Sequence, residues 1–241
     1  MFKLVELLDQ SQVRTLREIA ASGQFVDGRI SNPHSKVKNN LQLHDAGAYE
    51  RSSKIVLDAM VQNPEFMDFT FPARIMPPLM TRYTPGMRYG LHPDAPYIPT
   101  SDGQLRTDIS CTLFLAEPGE YDGGELVIED SFGEQRVKLA AGDAILYPGT
   151  SVHRVEPVTR GARIASFFWI ESMVRSAEQR RLLFNMDIAL LRLSTPAPAS
   201  LTPALLPTAV PLLRGLLALL RRRLERSAGS GSAPPRRRRT S

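Results

Sequence analysis

The chain has 241 residues, of which 42% are apolar, enough for one sizeable domain with terminal additions or two small domains around a buried core. Its net charge of +5 is unevenly distributed, because residues 201–241 hold nine Arg and one Glu (+8), whereas residues 1–200 hold 21 basic and 24 acidic side chains (−3). The body of the protein therefore lacks the basic character of a nucleic-acid-binding protein, and we expect no specific nucleic-acid partner.

Three features of the sequence indicate the cellular compartment of the protein. No N-terminal stretch combines the basic, apolar and small-residue regions of a secretory signal. The longest Leu-rich region, Leu201 to Leu220, contains three prolines and Arg214, so we expect no transmembrane span. The single cysteine, Cys111, cannot form an internal disulfide. Together these features predict a cytoplasmic protein.

Residues 1–65 predict an N-terminal helical segment that packs on the core. Ser11–Ala20 has apolar residues at helical spacing, with Asp9 or Ser11 as the N-cap. The polar stretch Ser31–Asn40 predicts a loop, and a second helix is expected from about Ala48 to Val61.

Residues 66–172 predict a mainly β domain. Short runs rich in β-branched and aromatic residues alternate with turn residues from Phe66 to Ile170, as in an antiparallel β structure. The predicted strands are Arg74–Tyr83, Met87–His92, Arg106–Ala116, Glu125–Glu129, Gln135–Ala140, Ala144–Tyr147, His153–Val158 and Arg163–Ile170. About eight strands form a double-sheet jelly roll, which encloses a mouth lined by side chains and suited to a ligand.

Residues 173–226 predict C-terminal helices, at Ser176–Leu193 and Ala209–Leu224, and their apolar faces favour a homodimer. Residues 227–241 predict a disordered basic tail. A solvated tail is one interpretation, and an element that binds nucleic acid, acidic lipid or an acidic partner is the other. The arginine run Arg236–Arg239 has no aromatic residues for base stacking, which disfavours sequence-specific reading of nucleic acid.

Three residues have the side chains and spacing of a metal site. His92 and Asp94 lie two apart at the end of a predicted strand, so both point to one face. His153 opens a later strand after the turn 147–151. Two imidazoles and one carboxylate form the facial triad that holds non-haem Fe(II) and leaves three coordination positions open. A histidine and a carboxylate two apart also occur by chance, so a strand end without metal is the alternative.

Arg163 lies ten residues after His153 on a long apolar strand. An inward-pointing guanidinium requires an anionic partner, because an unpaired buried charge is very costly. One candidate partner is a core carboxylate. The other is the far carboxylate of a chelating 2-oxo acid, which a guanidinium can hold by two hydrogen bonds. With the metal set, the second interpretation predicts an oxygen-activating enzyme.

Two other functions use the same residues. A zinc hydrolase is one, because zinc accepts the same ligand set, although it needs no arginine dedicated to a dicarboxylate. A non-catalytic jelly-roll module that senses metal or a small acid is the other. Activity without oxygen would indicate the hydrolase, and absence of 2-oxoglutarate turnover would indicate the module. The remaining histidines, His34 and His44, lack ligand-like spacing and are expected on the surface.

Several segments resemble a known family. The segment Tyr83-Thr-Pro-Gly86-Met-Arg-Tyr89-Gly-Leu-His92-Pro-Asp94 resembles the metal-binding strand of prolyl-4-hydroxylase-like Fe(II)/2-oxoglutarate-dependent dioxygenases. Others are similar to the bacterial PKHD-type hydroxylases: Arg106-Thr-Asp-Ile-Ser-Cys-Thr-Leu-Phe-Leu115, Tyr121-Asp-Gly-Gly-Glu-Leu-Val-Ile-Glu-Asp130, His153-Arg-Val-Glu-Pro-Val-Thr-Arg-Gly-Ala-Arg163 and Ala165-Ser-Phe-Phe-Trp-Ile170. The resemblance extends from the N-terminus to about Leu193 and does not cover the C-terminal region.

The resemblance implies a double-stranded β-helix (a cupin-like jelly roll) that hydroxylates a small-molecule or peptide substrate. It implies Fe(II), 2-oxoglutarate, dioxygen and L-ascorbate (vitamin C) as cofactors and cosubstrates, and a link to iron or siderophore metabolism. The implied site residues are His92, Asp94 and His153 for iron, Arg163 for the distal carboxylate of 2-oxoglutarate, Tyr83 and Tyr89 near the cofactor, and Trp169 in the pocket wall.

Overall fold

The computed structural model describes residues 2–130 and 133–194, together with the single positions Gly215 and Ala218. The chain divides into two compact units, Met1–Ser172 and Met173–Ser241. Apart from Gly215 and Ala218, the predicted helix 209–224 and the predicted tail from residue 227 lie outside the described residues. None of the helices in the described part is long and apolar enough to cross a membrane.

The first unit is largely β and contains three of the α-helices in the described residues. The helices are α1 (Gln10–Ser22), α2 (Ala46–Gln62), α3 (Pro64–Thr70) and, in the second unit, α4 (Ala177–Ser194). The strands are β1 (Lys3–Glu6), β2 (Phe25–Asp27), β3 (Lys38–Asn39), β4 (Leu41–Leu43), β5 (Pro72–Ile75), β6 (Leu79–Tyr83), β7 (Arg88–His92), β8 (Tyr97–Thr100), β9 (Gly103–Arg106), β10 (Ile109–Phe114), β11 (Tyr121–Gly123), β12 (Leu126–Asp130), β13 (Gly133–Val137), β14 (Asp143–Pro148), β15 (His153–Val155), β16 (Val158–Gly161) and β17 (Arg163–Ser172). Short 3-10 turns occupy Gly28–Ser31 and Pro118–Glu120.

Side-chain caps define where the N-terminal helices begin. The Asp9 carboxylate accepts hydrogen bonds from the backbone N–H groups of Ser11 and Gln12, and the Gln12 side chain accepts one from the Asp9 N–H. This reciprocal capping box satisfies donors that have no partner inside a helix. Asp45 caps α2 in a similar way through the N–H of Ala48. Both predicted helices are therefore confirmed, with α2 beginning two residues earlier than expected.

The predicted start of the β region at Phe66 is wrong, because Phe66 lies in α3. Asn63 caps this helix by accepting a hydrogen bond from the Phe66 N–H, and Pro64 occupies the first turn, where its missing N–H costs nothing. The apolar residues of α3 resemble a strand in composition, but the cap and the proline determine the helix.

Two larger sheets form the β structure of the first unit. In its described residues, one sheet has eight strands in the order β1-β14-β10-β17-β6-β4-β2, with β5 also paired to β17. The other has five strands in the order β13-β12-β15-β7-β3. The strand pairs are antiparallel, and β8–β9 and β11–β16 form separate two-stranded sheets. The predicted mainly β jelly roll with flanking helices is confirmed.

Alternation along the central strands separates two hydrophobic cores. On β10, Cys111 and Leu113 face helices α1–α3, whereas Phe114 faces the five-stranded sheet. On β17, Phe168 belongs to the helix-side core, while Arg163 lines a cavity between the sheets. A strand that is covered on both faces reads as a continuous apolar run, and Arg163 is the charged residue that interrupts this run on the cavity side.

Several predicted strands are shorter or divided in the structure. The predicted strand 74–83 becomes β5 and β6, because Pro77 and Pro78 between them have no N–H for sheet pairing. The predicted strand 153–158 becomes β15 and the start of β16. Residues 1–65 are not only helical, since they also contribute β1–β4, and the predicted loop 31–40 contains β3.

Candidate metal and dicarboxylate site

The three candidate metal ligands converge at one end of the cavity. His92 ends β7 and His153 begins β15, and the antiparallel register places His153 opposite His92. Their ring centroids are 4.4 Å apart. Asp94 follows β7, and one ligand atom from each of the three residues lies within 4.8 Å of the others. This spacing allows all three side chains to reach one ion.

Backbone carbonyls orient both imidazoles. Nδ1 of His92 lies 2.7 Å from the Gly90 carbonyl oxygen, and Nδ1 of His153 lies 3.0 Å from that of Ser151. Because a carbonyl oxygen can only accept, each Nδ1 carries the proton and donates it. The lone pair is then on Nε2, which is the arrangement of a metal-binding histidine.

Neighbouring groups favour neutral imidazole and an oriented carboxylate. Burial and the adjacent His153 lower the pKa of His92 well below its ordinary value, so this ring is neutral at pH 7. The ring of Tyr89 stacks on His92 with a centroid distance of 3.7 Å. The Ser110 hydroxyl donates a hydrogen bond to Oδ2 of Asp94.

Arg163 is a buried cation without an acidic partner among the described residues. It is 2% exposed and begins β17, directly opposite Tyr83 of β6. Its guanidinium lies 5.2 Å from the Tyr83 ring centroid and 5.3 Å from that of Phe114. Nε and Nη2 have no hydrogen-bond partner in the described part of the chain. Such donors are expensive to bury, which indicates that a ligand satisfies them.

Gly124 makes room for this arginine. Its φ is +67°, a left-handed conformation that favours glycine. A Cβ built there would lie 3.2 Å from Cδ of Arg163 and 3.1 Å from Cε2 of Tyr121. The glycine that follows β11 therefore shapes the arginine site.

The cavity between the sheets has a volume of about 280 Å³. All seven sequence-predicted site residues line it: His92, Asp94, His153, Arg163, Tyr83, Tyr89 and Trp169. The Tyr83 hydroxyl accepts a hydrogen bond from Nδ2 of Asn40 at 2.8 Å. His34 and His44 are exposed, as expected.

Sequence reasoning missed three features of the cavity wall. Ser110, which holds Asp94, lies on a predicted strand but had no distinguishing signal. The hairpin β8–β9 contributes Tyr97 to the wall, and the turn residues Ser101-Asp102-Gly103 were the available signal. Lys38 lies in the predicted polar loop and is buried in the structure.

Comparison with known proteins places this geometry in a family. Residues 78–171, which contain every candidate metal ligand and Arg163, match the model of the 2OG-Fe(II) oxygenase superfamily. The chain is 61% identical over 203 residues to a PKHD-type hydroxylase of Sphingopyxis alaskensis, covering 84% of this chain and 93% of that protein. The chain belongs to the PKHD-type hydroxylases. A PKHD-type hydroxylase of Verminephrobacter eiseniae is 50% identical over 196 residues, covering 79% of this chain and 86% of the relative.

Solved structures support the fold of this PKHD-type hydroxylase. A prolyl-4-hydroxylase of Pseudomonas putida superposes with a TM-score of 0.51 at 19% identity, covering 71% of this chain and 92% of that chain. A prolyl hydroxylase of Trichoplax adhaerens, solved with a hypoxia inducible factor peptide fragment, gives 0.52 at 15% identity, covering 76% and 86%. At these identities the likeness concerns the double-stranded β-helix fold alone.

The PKHD-type hydroxylase is therefore an enzyme, a dioxygenase of the Fe(II)- and 2-oxoglutarate-dependent class. Its residues fit those groups. Two imidazoles and a carboxylate are suitable ligands for Fe(II), and a buried guanidinium with two nitrogen donors unpaired among the described residues suits a dicarboxylate. Membership of a hydroxylase family leaves the zinc hydrolase and the non-catalytic module without support.

Proposed function

We propose that this PKHD-type hydroxylase binds Fe(II) through Nε2 of His92, Nε2 of His153 and the Asp94 carboxylate. In the same site, Arg163 holds the distal carboxylate of 2-oxoglutarate. The substrate enters the remaining part of the cavity and is hydroxylated at a C–H bond. The observation that carries this assignment is the buried guanidinium of Arg163, with two nitrogen donors unpaired among the described residues, in the same cavity as the three metal ligands.

Each residue of the site has a physical task in this mechanism. When bound, Fe(II), 2-oxoglutarate and dioxygen supply the oxidising chemistry, with release of succinate and CO₂. Arg163 fixes the orientation of the cosubstrate, because a guanidinium and a carboxylate form two parallel hydrogen bonds. The backbone acceptors at Gly90 and Ser151 keep the imidazoles in the ligating tautomer. Apolar walls exclude water from the reacting atoms.

The direct test of this function uses the wild-type enzyme. Adding Fe(II) and 2-oxoglutarate without oxygen is expected to produce a weak visible charge-transfer band, because the keto acid would chelate the ion. Admitting oxygen should then yield succinate. A protein that binds both components but gives neither a band nor succinate would contradict the assignment.

Ser110 is expected to affect the metal site without binding the metal. Its hydroxyl orients Asp94, and groups that orient a ligand typically contribute 10- to 100-fold to metal affinity. Ser110→Ala should therefore weaken Fe(II) binding by roughly 10-fold. Thr112→Val is a matched control, because Thr112 lies on the same face of β10 and its hydroxyl pairs with Tyr147. Equal iron affinities of the wild type and Ser110→Ala would remove this role.

We also propose that L-ascorbate maintains the iron in the ferrous state and that the substrate belongs to iron or siderophore metabolism. Both follow from the family resemblance. The first predicts more succinate per iron when ascorbate is present. The second is tested by comparing metabolites of a deletion strain and its parent under iron limitation, and unchanged siderophore-related metabolites would argue against it.

A further inference from the structure

Lys38 is a second buried cation in the cavity, at a place that the metal and 2-oxoglutarate do not explain. It is 6% exposed and lies on β3, directly opposite Tyr89 of β7. Opposed residues of an antiparallel pair point to the same face of the sheet. Because Tyr89 lines the cavity, Lys38 lines it too.

The ammonium group has more donors than partners. Its Nζ donates to Oγ of Ser31 at 2.7 Å, and that hydroxyl donates in turn to Oε1 of Gln42 at 2.7 Å. Nζ also lies 5.6 Å from the ring centroid of Tyr89 and 5.5 Å from that of Phe167. A lysine has three N–H donors, and rings at these distances provide only weak attraction.

No acidic side chain among the described residues pairs with Lys38 within 4.0 Å. Asp27 is the carboxylate that acts on it electrostatically, but Asp27 is occupied by Arg29, which donates to both of its oxygens. Burial lowers the pKa of Lys38 to about 8, which still leaves most of it protonated at pH 7. A largely charged, desolvated ammonium facing a cavity is stabilised by an anion that enters the cavity.

The position of Lys38 separates it from the cosubstrate. Lys38 approaches Phe167, which lies four residues beyond Arg163 on β17. The Cα atoms of residues four apart on a strand lie about 13 Å from each other, so Phe167 and the ammonium next to it lie further along the cavity wall than Arg163. A carboxylate bound at Arg163 is therefore displaced along this wall from Lys38, and an anionic group of the second substrate can pair with the ammonium.

We propose that Lys38 binds an anionic group, a carboxylate or a phosphate, of the molecule that is hydroxylated, and that the apolar body of this molecule packs on Tyr89, Phe167 and Trp169. This assignment rests on the proposed function, because it concerns the substrate of the same site. The rings of Tyr89 and Phe167 flank the ammonium, and the ring of Trp169 is in edge contact with that of Phe167 at 5.3 Å. The substrate class is therefore an organic acid or phosphate ester with an apolar portion next to the charge.

Trp169 gives a readout that does not need turnover. It is the single tryptophan of the chain and lines the cavity, so its fluorescence reports on ligands bound there. Titrations are made on the protein with Fe(II) and 2-oxoglutarate under anaerobic conditions. One arm compares 3-phenylpropionate with 3-phenylpropionamide, and the other compares benzyl phosphate with benzyl alcohol. Because a hydrogen bond to a charged group contributes about 1.5–3 kcal/mol, the wild type should bind the anion of at least one pair roughly 10- to 100-fold more tightly.

Variants assign this preference to one side chain. Lys38→Met should bind acid and neutral analogue equally, within about twofold, and Lys38→Arg should restore part of the preference because it restores the charge. Lys36→Met is the matched control, since Lys36 is an exposed lysine of the same segment, and it should behave as the wild type. The arm that shows the preference identifies carboxylate or phosphate.

Two results would overturn the role of Lys38: no preference for the anion in either wild-type pair, or an unchanged preference in Lys38→Met. The charge-transfer band in the same samples separates this outcome from the proposed function. A band that persists in Lys38→Met shows that this variant still binds Fe(II) and 2-oxoglutarate, whatever its affinity for the analogues. A band that is absent even in the wild type counts against the proposed function, while the fluorescence titrations still test the binding of the anion.

Discussion

Asp94→Ala is expected to abolish stoichiometric Fe(II) binding and to reduce succinate formation by roughly 1,000-fold, beyond the 10- to 100-fold typical of residues that only orient a ligand. The carboxylate supplies the one anionic ligand of the candidate set, and its ligand oxygen lies within 4.8 Å of the ligand nitrogens of His92 and His153. Iron content after equilibrium dialysis and succinate formation measure the two effects.

Asp58→Ala is the control for this change, because Asp58 is an exposed aspartate on α2 that pairs with Lys54. It should retain full iron content and turnover. Retention of iron by Asp94→Ala at wild-type affinity would show that the carboxylate is not a ligand, and the proposed metal site would then be wrong.

Arg163→Met is expected to raise the KM for 2-oxoglutarate by roughly 100-fold while the affinity for Fe(II) stays within about threefold. The variant would lack two charge-assisted hydrogen bonds to the cosubstrate. Iron binding should change little, because Arg163 lies outside the set of metal ligands. Folding should survive, because replacing an unpaired buried charge by an apolar side chain is often neutral or stabilising.

Thermal unfolding separates binding from structure in this variant. 2-Oxoglutarate should raise the Tm of the wild type in the presence of metal, since a ligand that binds only the folded state stabilises it. It should not raise the Tm of Arg163→Met. Arg160→Met, at an exposed arginine paired with Asp122, should respond as the wild type. Loss of iron together with 2-oxoglutarate in Arg163→Met would show that Arg163 has a structural task instead.

Local patterns in the sequence predicted the central strands of both larger sheets and seven of the residues that line the cavity. The alternation along β17 required Arg163, Phe167 and Trp169 to share one face, since successive residues of a strand point in opposite directions. The spacing of His92 and Asp94 followed from the same rule. These features depend only on neighbours in the chain, and a short window of sequence contains them.

Features that depend on distant partners could not be read in this way. Strands β1–β4 have two to four residues each and exist because sheet edges elsewhere in the chain accept them. Lys38 lies in a polar segment with the composition of a loop. Its burial arises from the pairing of β3 with β7, where it lies opposite Tyr89, 51 residues later. α3 is a different case, because Asn63 and Pro64 are local signals of a helix N-terminus. The apolar residues that follow them have the composition of a strand, so the helix was not predicted.

The opposed register of β7 and β15 links metal affinity to correct folding. The two histidines come from segments about sixty residues apart and meet only when these strands align as they do here. Since successive side chains alternate between faces, a slip of one residue would turn His153 away from His92. Binding of Fe(II) would then stabilise only the correct register of β7 and β15. The iron occupancy of a purified preparation would therefore measure the fraction of molecules in which these strands are paired correctly.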